Sequence, residues 1–295
     1  MPVRALTTKQ DVPRYSVIKP KLFLIMAVLF VFSAFAPLKA SLAIFFYNND
    51  ALFVGEDSMV AHPQGTNYEK IVQTKIFRMD KQGVVTMTGY LGTIFTHLPT
   101  GKQIDERLFV KSESICKLLD SSPAPISDKL NSALEEYRRE YQRLMEWNER
   151  AETDLATLDG TRICFIAYEP TNGVFFGLSY LLSPTNRIGV LEKMFERASN
   201  NNGGLLFFQG EDSFLSALVR SSETNFTSLR TEKFNNFLNR YNARQPLTDE
   251  QAVDGMLEMF RLQAKYASKM STDKGLIGEP YIIYKINRQE ANRLH

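Results

Sequence analysis

Histidine, cysteine and tryptophan are scarce, with three, two and one copies among 295 residues. Cys116 and Cys164 stand apart with no CxxC, and His62, His97 and His295 are scattered, so the spacing of a zinc site is missing. The two cysteines could pair in an oxidising compartment, but two isolated cysteines do not specify a bridge. Long linkers, low-complexity tracts and internal repeats are also absent, and no metal or cofactor is expected. What remains is ordinary globular material, 44% hydrophobic and 23% charged, enough to bury a core in one domain.

The single long apolar run lies near the start. Arg4, Lys9, Arg14, Lys19 and Lys21 precede Leu22–Pro37, and Leu38, Lys39 and Ala40 follow. A basic stretch, an apolar segment and a small residue at the exit predict a secretory signal peptide over 1–40, cut after Ala40. The alternative is an anchor held in a membrane by residues 22–37, although about 20 residues are needed to span. The first forty residues hold six of the 35 basic and one of the 33 acidic residues. Residues 41–295 therefore carry 29 basic against 32 acidic, a net of −3. The apparent basicity belongs to the targeting segment, and no nucleic-acid partner is expected.

Downstream, periodicity and turn chemistry predict an α+β chain. Leu42–Tyr47 and Ala51–Val54 form a hairpin across Asn48-Asn49-Asp50. A polar loop is expected from Ser58 to Gln73. A second hairpin joins Lys75–Met79 to Val84–Met87 through Asp80–Gly83. Helices are expected over Gln103–Leu119 and Ser127–Thr153, the second capped by Ser127 and apolar at Leu130, Ala133, Leu134, Tyr137, Tyr141 and Leu144. Strands then read as Thr161–Tyr168, Gly173–Tyr180 and Gly204–Phe208. Helices follow within Ser213–Arg220, Arg230–Tyr241 and Thr248–Lys269, with Thr248 and Gln251 as a capping box. Tyr281–Ile286 is the last strand. Two sheets stacked between two helical layers fit this order.

Four residues stand out by where they fall. Ser41 follows the expected cleavage point and opens the first strand. Asp57 ends the second strand in Val54-Gly55-Glu56-Asp57-Ser58, Lys75 opens the third, and Gly89 closes Thr86-Met87-Thr88-Gly89. A serine hydroxyl needs a base to take its proton, and a free α-amine titrates close to neutrality, where a general base works. Lys75 could stabilise the developing alkoxide, Asp57 could hold Lys75, and the Gly89 N–H could serve an oxyanion. Read singly, the same residues are a first mature residue, a strand-end turn, an edge-strand charge and a turn glycine.

In this order and on these elements the chain resembles a β-type proteasome subunit, one of the N-terminal-nucleophile hydrolases. The specific motif covers about the first fifty residues from Ser41. Weaker likeness runs on through Ala167-Tyr168-Glu169-Pro170, Gly210 and the strand after Gly278. The resemblance implies a four-layer αββα sandwich over 41–295, with Ser41 as nucleophile and Asp57, Lys75, Gly89 and Asp273 as its supports. It implies an exported peptidase of the threonine/serine type acting on a peptide or small amide, and a possible homo-oligomer. The departures are serine where proteasomes use threonine, and Gln209, Glu211 and Asp212 where the family has a supporting serine. A non-catalytic, proteasome-like binding or assembly protein is the competing expectation, membrane-tethered if the N-terminal segment stays uncut.

Overall fold

The computed structural model describes residues 39–40, 42–48, 50–64, 67–97, 102–150, 155–158, 160–185, 189–198, 205–210, 213–222, 224–270 and 277–295. Every described residue belongs to one compact unit, Phe35–His295. The signal-peptide or anchor expectation lies outside the described residues except for Lys39–Ala40. Among the described residues, no helix is long and apolar enough to cross a membrane.

The described residues are α+β, with two large antiparallel sheets, a separate two-stranded hairpin and six α-helices. In chain order the strands are β1 (Lys39–Ala40), β2 (Leu42–Asn48), β3 (Ala51–Asp57), β4 (Met59–Gln64), β5 (Asn67–Val72), β6 (Ile76–Asp80), β7 (Gly83–Tyr90), β8 (Gly92–His97) and β9 (Lys102–Arg107). Helices α1 (Leu108–Ser121) and α2 (Ile126–Arg150) follow. Then come β10 (Thr161–Glu169), β11 (Val174–Leu182), β12 (Val190–Ala198) and β13 (Leu205–Gly210). Helices α3 (Ser213–Arg220), α4 (Thr224–Thr227), α5 (Glu232–Asn242) and α6 (Asp249–Met270) precede β14 (Tyr281–Ile286) and β15 (Ala291–Arg293).

One sheet runs β12-β11-β10-β7-β1-β4-β5, with β6 also on β7; the other runs β13-β2-β3-β14-β15. Strand alternation divides the apolar residues into three cores. Leu42, Ile44 and Phe46 of β2 pack with Phe214, Phe234, Phe237, Met256 and Phe260 of α3, α5 and α6. Ala43, Phe45 and Tyr47, on the other face of β2, meet Ile76, Val84, Cys164, Ile166 and Phe175 of the second sheet. Met87, Ile163 and Phe165, on that sheet's far face, meet Tyr137, Tyr141 and Leu144 of α2.

Most expected elements form. Asp50 takes the left-handed φ of 61° that the first hairpin needs, a conformation aspartate tolerates. The capping box also forms, since Thr248 Oγ1 accepts from the Gln251 N–H and Gln251 Oε1 from the Thr248 N–H.

Three expectations are corrected. The polar stretch 58–73 is largely a hairpin, β4 with β5, because β4 finds backbone partners in β1. Residues 103–107 belong to the β8–β9 hairpin, so the helix begins only at Leu108. Ser127 lies inside α2; the N–H groups of Asp128 and Lys129 are taken by the Pro125 carbonyl instead.

Candidate functional site

Strand β3 is apolar until its end, where Glu56 and Asp57 are both buried. Lys75 stands just before β6 and reaches across to Asp57. Its Nζ donates to Asp57 Oδ1 at 2.9 Å and to the Met59 carbonyl at 2.9 Å, and both charged side chains are 0% exposed. Asp57 Oδ1 also accepts the Leu42 N–H at 3.1 Å, and Oδ2 the Met59 N–H at 3.2 Å. Two of the carboxylate's three partners are thus backbone N–H groups fixed by strands β2 and β4.

This pair differs in kind from the exposed ones. Lys117–Glu113 is 75% and 55% exposed, a setting in which ion pairs are worth about 0–1 kcal/mol. A buried pair costs several kcal/mol of desolvation per ion, and its attraction and hydrogen bonds must offset that cost. The reading of Lys75 as a solvated edge-strand charge is therefore set aside. Lys129, on the charge-rich helix α2, is also buried and pairs with Asp80 at the β6–β7 turn.

Gly89 sits near the end of β7 with φ +91°, and a Cβ there would fall 2.0 Å from the Gly160 carbonyl oxygen. Only glycine fits without shifting the backbone. Gly89 is also the register partner of Ala40, and Tyr90 that of Lys39, while Ala40 and Lys39 pair with Val60 and Ala61 on their other side. The dipeptide Lys39–Ala40 thus lies as a strand between β7 and β4.

Ser41 and Asp273 lie outside the described residues. Of the sequence-predicted residues, the structure joins Asp57 and Lys75 directly, fixes the Leu42 N–H on the same carboxylate, and pairs Gly89 with Ala40. No protein-family model and no curated protein matches the chain.

Glu56 was not singled out from the sequence. It is 1% exposed; Oε2 accepts the Met87 N–H at 3.4 Å, and Oε1 finds no partner among the described protein atoms. Burial pushes its carboxyl well above the ordinary glutamate range, and the Asp57 charge adds to that; Lys75, Thr86 and the Met87 N–H pull the other way. The signal available in the sequence was an acidic doublet ending a strand otherwise free of charge. The Ser58 hydroxyl is likewise buried and finds no partner among the described residues.

The cysteines do not pair. Cys116 packs in the core beneath α2 and Cys164 between the sheets, both free. Burial pushes the Cys116 thiol up to about 12 and the Cys164 thiol up as well, which keeps both protonated and unreactive. Gln209, in the neighbourhood where this chain has no match for the supporting serine of the resemblance, is buried and accepts a hydrogen bond from the Cys164 thiol. No group of three His, Cys, Asp or Glu side chains is placed to hold a metal among the described residues.

Proposed function

We propose that the chain is an exported amide-bond hydrolase of the N-terminal-nucleophile type, with a proteasome-like αββα sandwich and Ser41 as its nucleophile. The observation that carries this reading is the buried Lys75–Asp57 pair whose carboxylate also holds the Leu42 N–H. Leu42 is the residue after Ser41, so the pair is tied to the one chain position where the proposed chemistry begins.

Removal of residues 1–40 would leave a free α-amine on Ser41. The amine takes the hydroxyl proton as Oγ attacks the carbonyl carbon of a peptide or other amide. Lys75 lends positive charge to the developing alkoxide, and the Gly89 N–H is offered to the carbonyl oxygen. The C–N bond breaks, the leaving amine takes the proton, and a serine ester remains. Water then attacks the ester, giving a proton to the α-amine and returning Ser41 Oγ–H with release of the acid. Asp273 is offered as an outer support only from the resemblance.

The two sheet edges that flank Lys39–Ala40 support the same reading. Once that segment leaves, Val60–Ala61 and Gly89–Tyr90 are free to pair with an extended peptide. The same observation favours a second reading. A chain left uncut keeps its own strand in that slot and has no free amine at Ser41, which makes it a binding or assembly protein.

Ser41→Ala tests the first reading in the processed protein against a panel of peptide and simple amide substrates. Turnover is expected to vanish with the fold intact, because a small residue at a strand start costs little. Unchanged turnover would remove Ser41 from the mechanism.

A further inference from the structure

Glu56 is the buried acid that the proposed chemistry leaves unused. It shares the inter-sheet face of β3 with Leu52 and Val54. Across its own sheet the row at this level runs Gln209, Ala43, Glu56 and Ile282. Across the facing sheet the row runs Ser179, Cys164, Thr86 and Ile76. Most of the surrounding layer is apolar, so these rows place a small polar island inside it. Ala43, short and placed between Gln209 and Glu56, leaves the two side chains room.

Lys75 borders this island from the other direction. It precedes Ile76, the register partner of Thr86, which puts it level with Met87, whose N–H reaches Glu56 Oε2. Glu56 thus sits one residue from Asp57 on β3 and faces the opposite side of the strand; the Lys75 ammonium bonds Asp57 and acts on Glu56 through space.

We propose that Glu56 is a positioning residue of this site, whose proton decides whether Lys75 is committed to Asp57 alone or shared between two carboxylates. The charged and titratable groups around Glu56 are Lys75 before β6, Asp57 on β3 and Cys164 on β10, with Arg162 beyond Cys164. Among the described residues, Lys75 is the one cation acting on both Asp57 and Glu56, so a dry interior resists a second anion. Burial accordingly favours the protonated acid. While the proton stays, the Lys75 ammonium serves Asp57, the Met59 carbonyl and the side of the chain at Ser41. When it leaves, the new carboxylate draws the ammonium towards the inter-sheet space and weakens its field at the nucleophile. The coupling stands on the geometry; its effect on catalysis rests on the hydrolase reading.

The test is a pH titration of the processed protein followed by NMR of labelled glutamate carboxyl and lysine Cε carbons. The Glu56 carboxyl is expected to titrate above the ordinary glutamate range, and the Lys75 Cε resonance to step at the same midpoint. In Glu56→Gln that step disappears, and hydrolysis no longer falls on the alkaline side at that midpoint. Absence of the Lys75 step in the unsubstituted protein, or its persistence in Glu56→Gln, overturns the proposal. The titration of the unsubstituted protein decides even if the glutamine variant does not fold. Failure to hydrolyse any amide would count against the hydrolase reading and leaves the resonance step to judge the coupling.

Discussion

Lys75 Nζ lies 2.9 Å from Asp57 Oδ1, and neither side chain reaches solvent. Removing one partner strands the other charge in the interior, at about 3–5 kcal/mol. Lys75→Met and Asp57→Asn are each expected to lose stability on that scale in urea unfolding. The double variant is expected to lose markedly less than the sum, because neither charge is then left alone. Additive losses would mean the two side chains do not act as a pair.

Gly89 makes a second prediction. Its φ of +91° and the Gly160 carbonyl oxygen, 2.0 Å from where a Cβ would fall, leave no room for alanine. Gly89→Ala is expected to destabilise by about 1–3 kcal/mol, read as a lowered Tm. An unchanged Tm would show that β7 and Gly160 move apart at little cost.

Glu56 gives the fold a pH dependence of known sign. Its folded-state affinity for the proton is raised above the unfolded one. The stability this contributes is complete below the unfolded pKa, about 4.5, and is lost as pH rises towards the folded pKa. Glu56→Gln cannot ionise, so its stability is expected to gain on the unsubstituted protein through that window, by at most about 1.4 kcal/mol per pH unit. Parallel curves for the two proteins would mean that Glu56 is ionised in the fold.

Cys116 and Cys164 are expected to resist thiol reagents in the native state and to react after unfolding, as counted by intact mass. Burial holds both thiols protonated and out of reach. Rapid native labelling of Cys164 would show that the space between the sheets opens to solvent.

Much of this arrangement was legible in the sequence, for local reasons. The hairpin at Asp50, the β6–β7 turn at Asp80 and the Thr248–Gln251 box are set by neighbours within four residues. So were Asp57 and Lys75, once the strand ends were placed. The strands β4, β5 and β12 were missed because polar and charged residues fill them, and their pairing comes from partners distant in sequence. Glu56 was missed for a related reason. Its burial depends on Thr86, Met87 and Cys164 arriving from the facing sheet, which no local pattern announces.

The most direct test of the hydrolase reading is the N-terminal residue of the protein recovered from its host, by intact mass and terminal sequencing. A chain that begins at Ser41 is the expected result, with a free amine beside the Leu42 N–H that Asp57 holds. A chain that begins elsewhere, or keeps Lys39–Ala40 paired between β4 and β7, would contradict it and assign the buried pair a structural role.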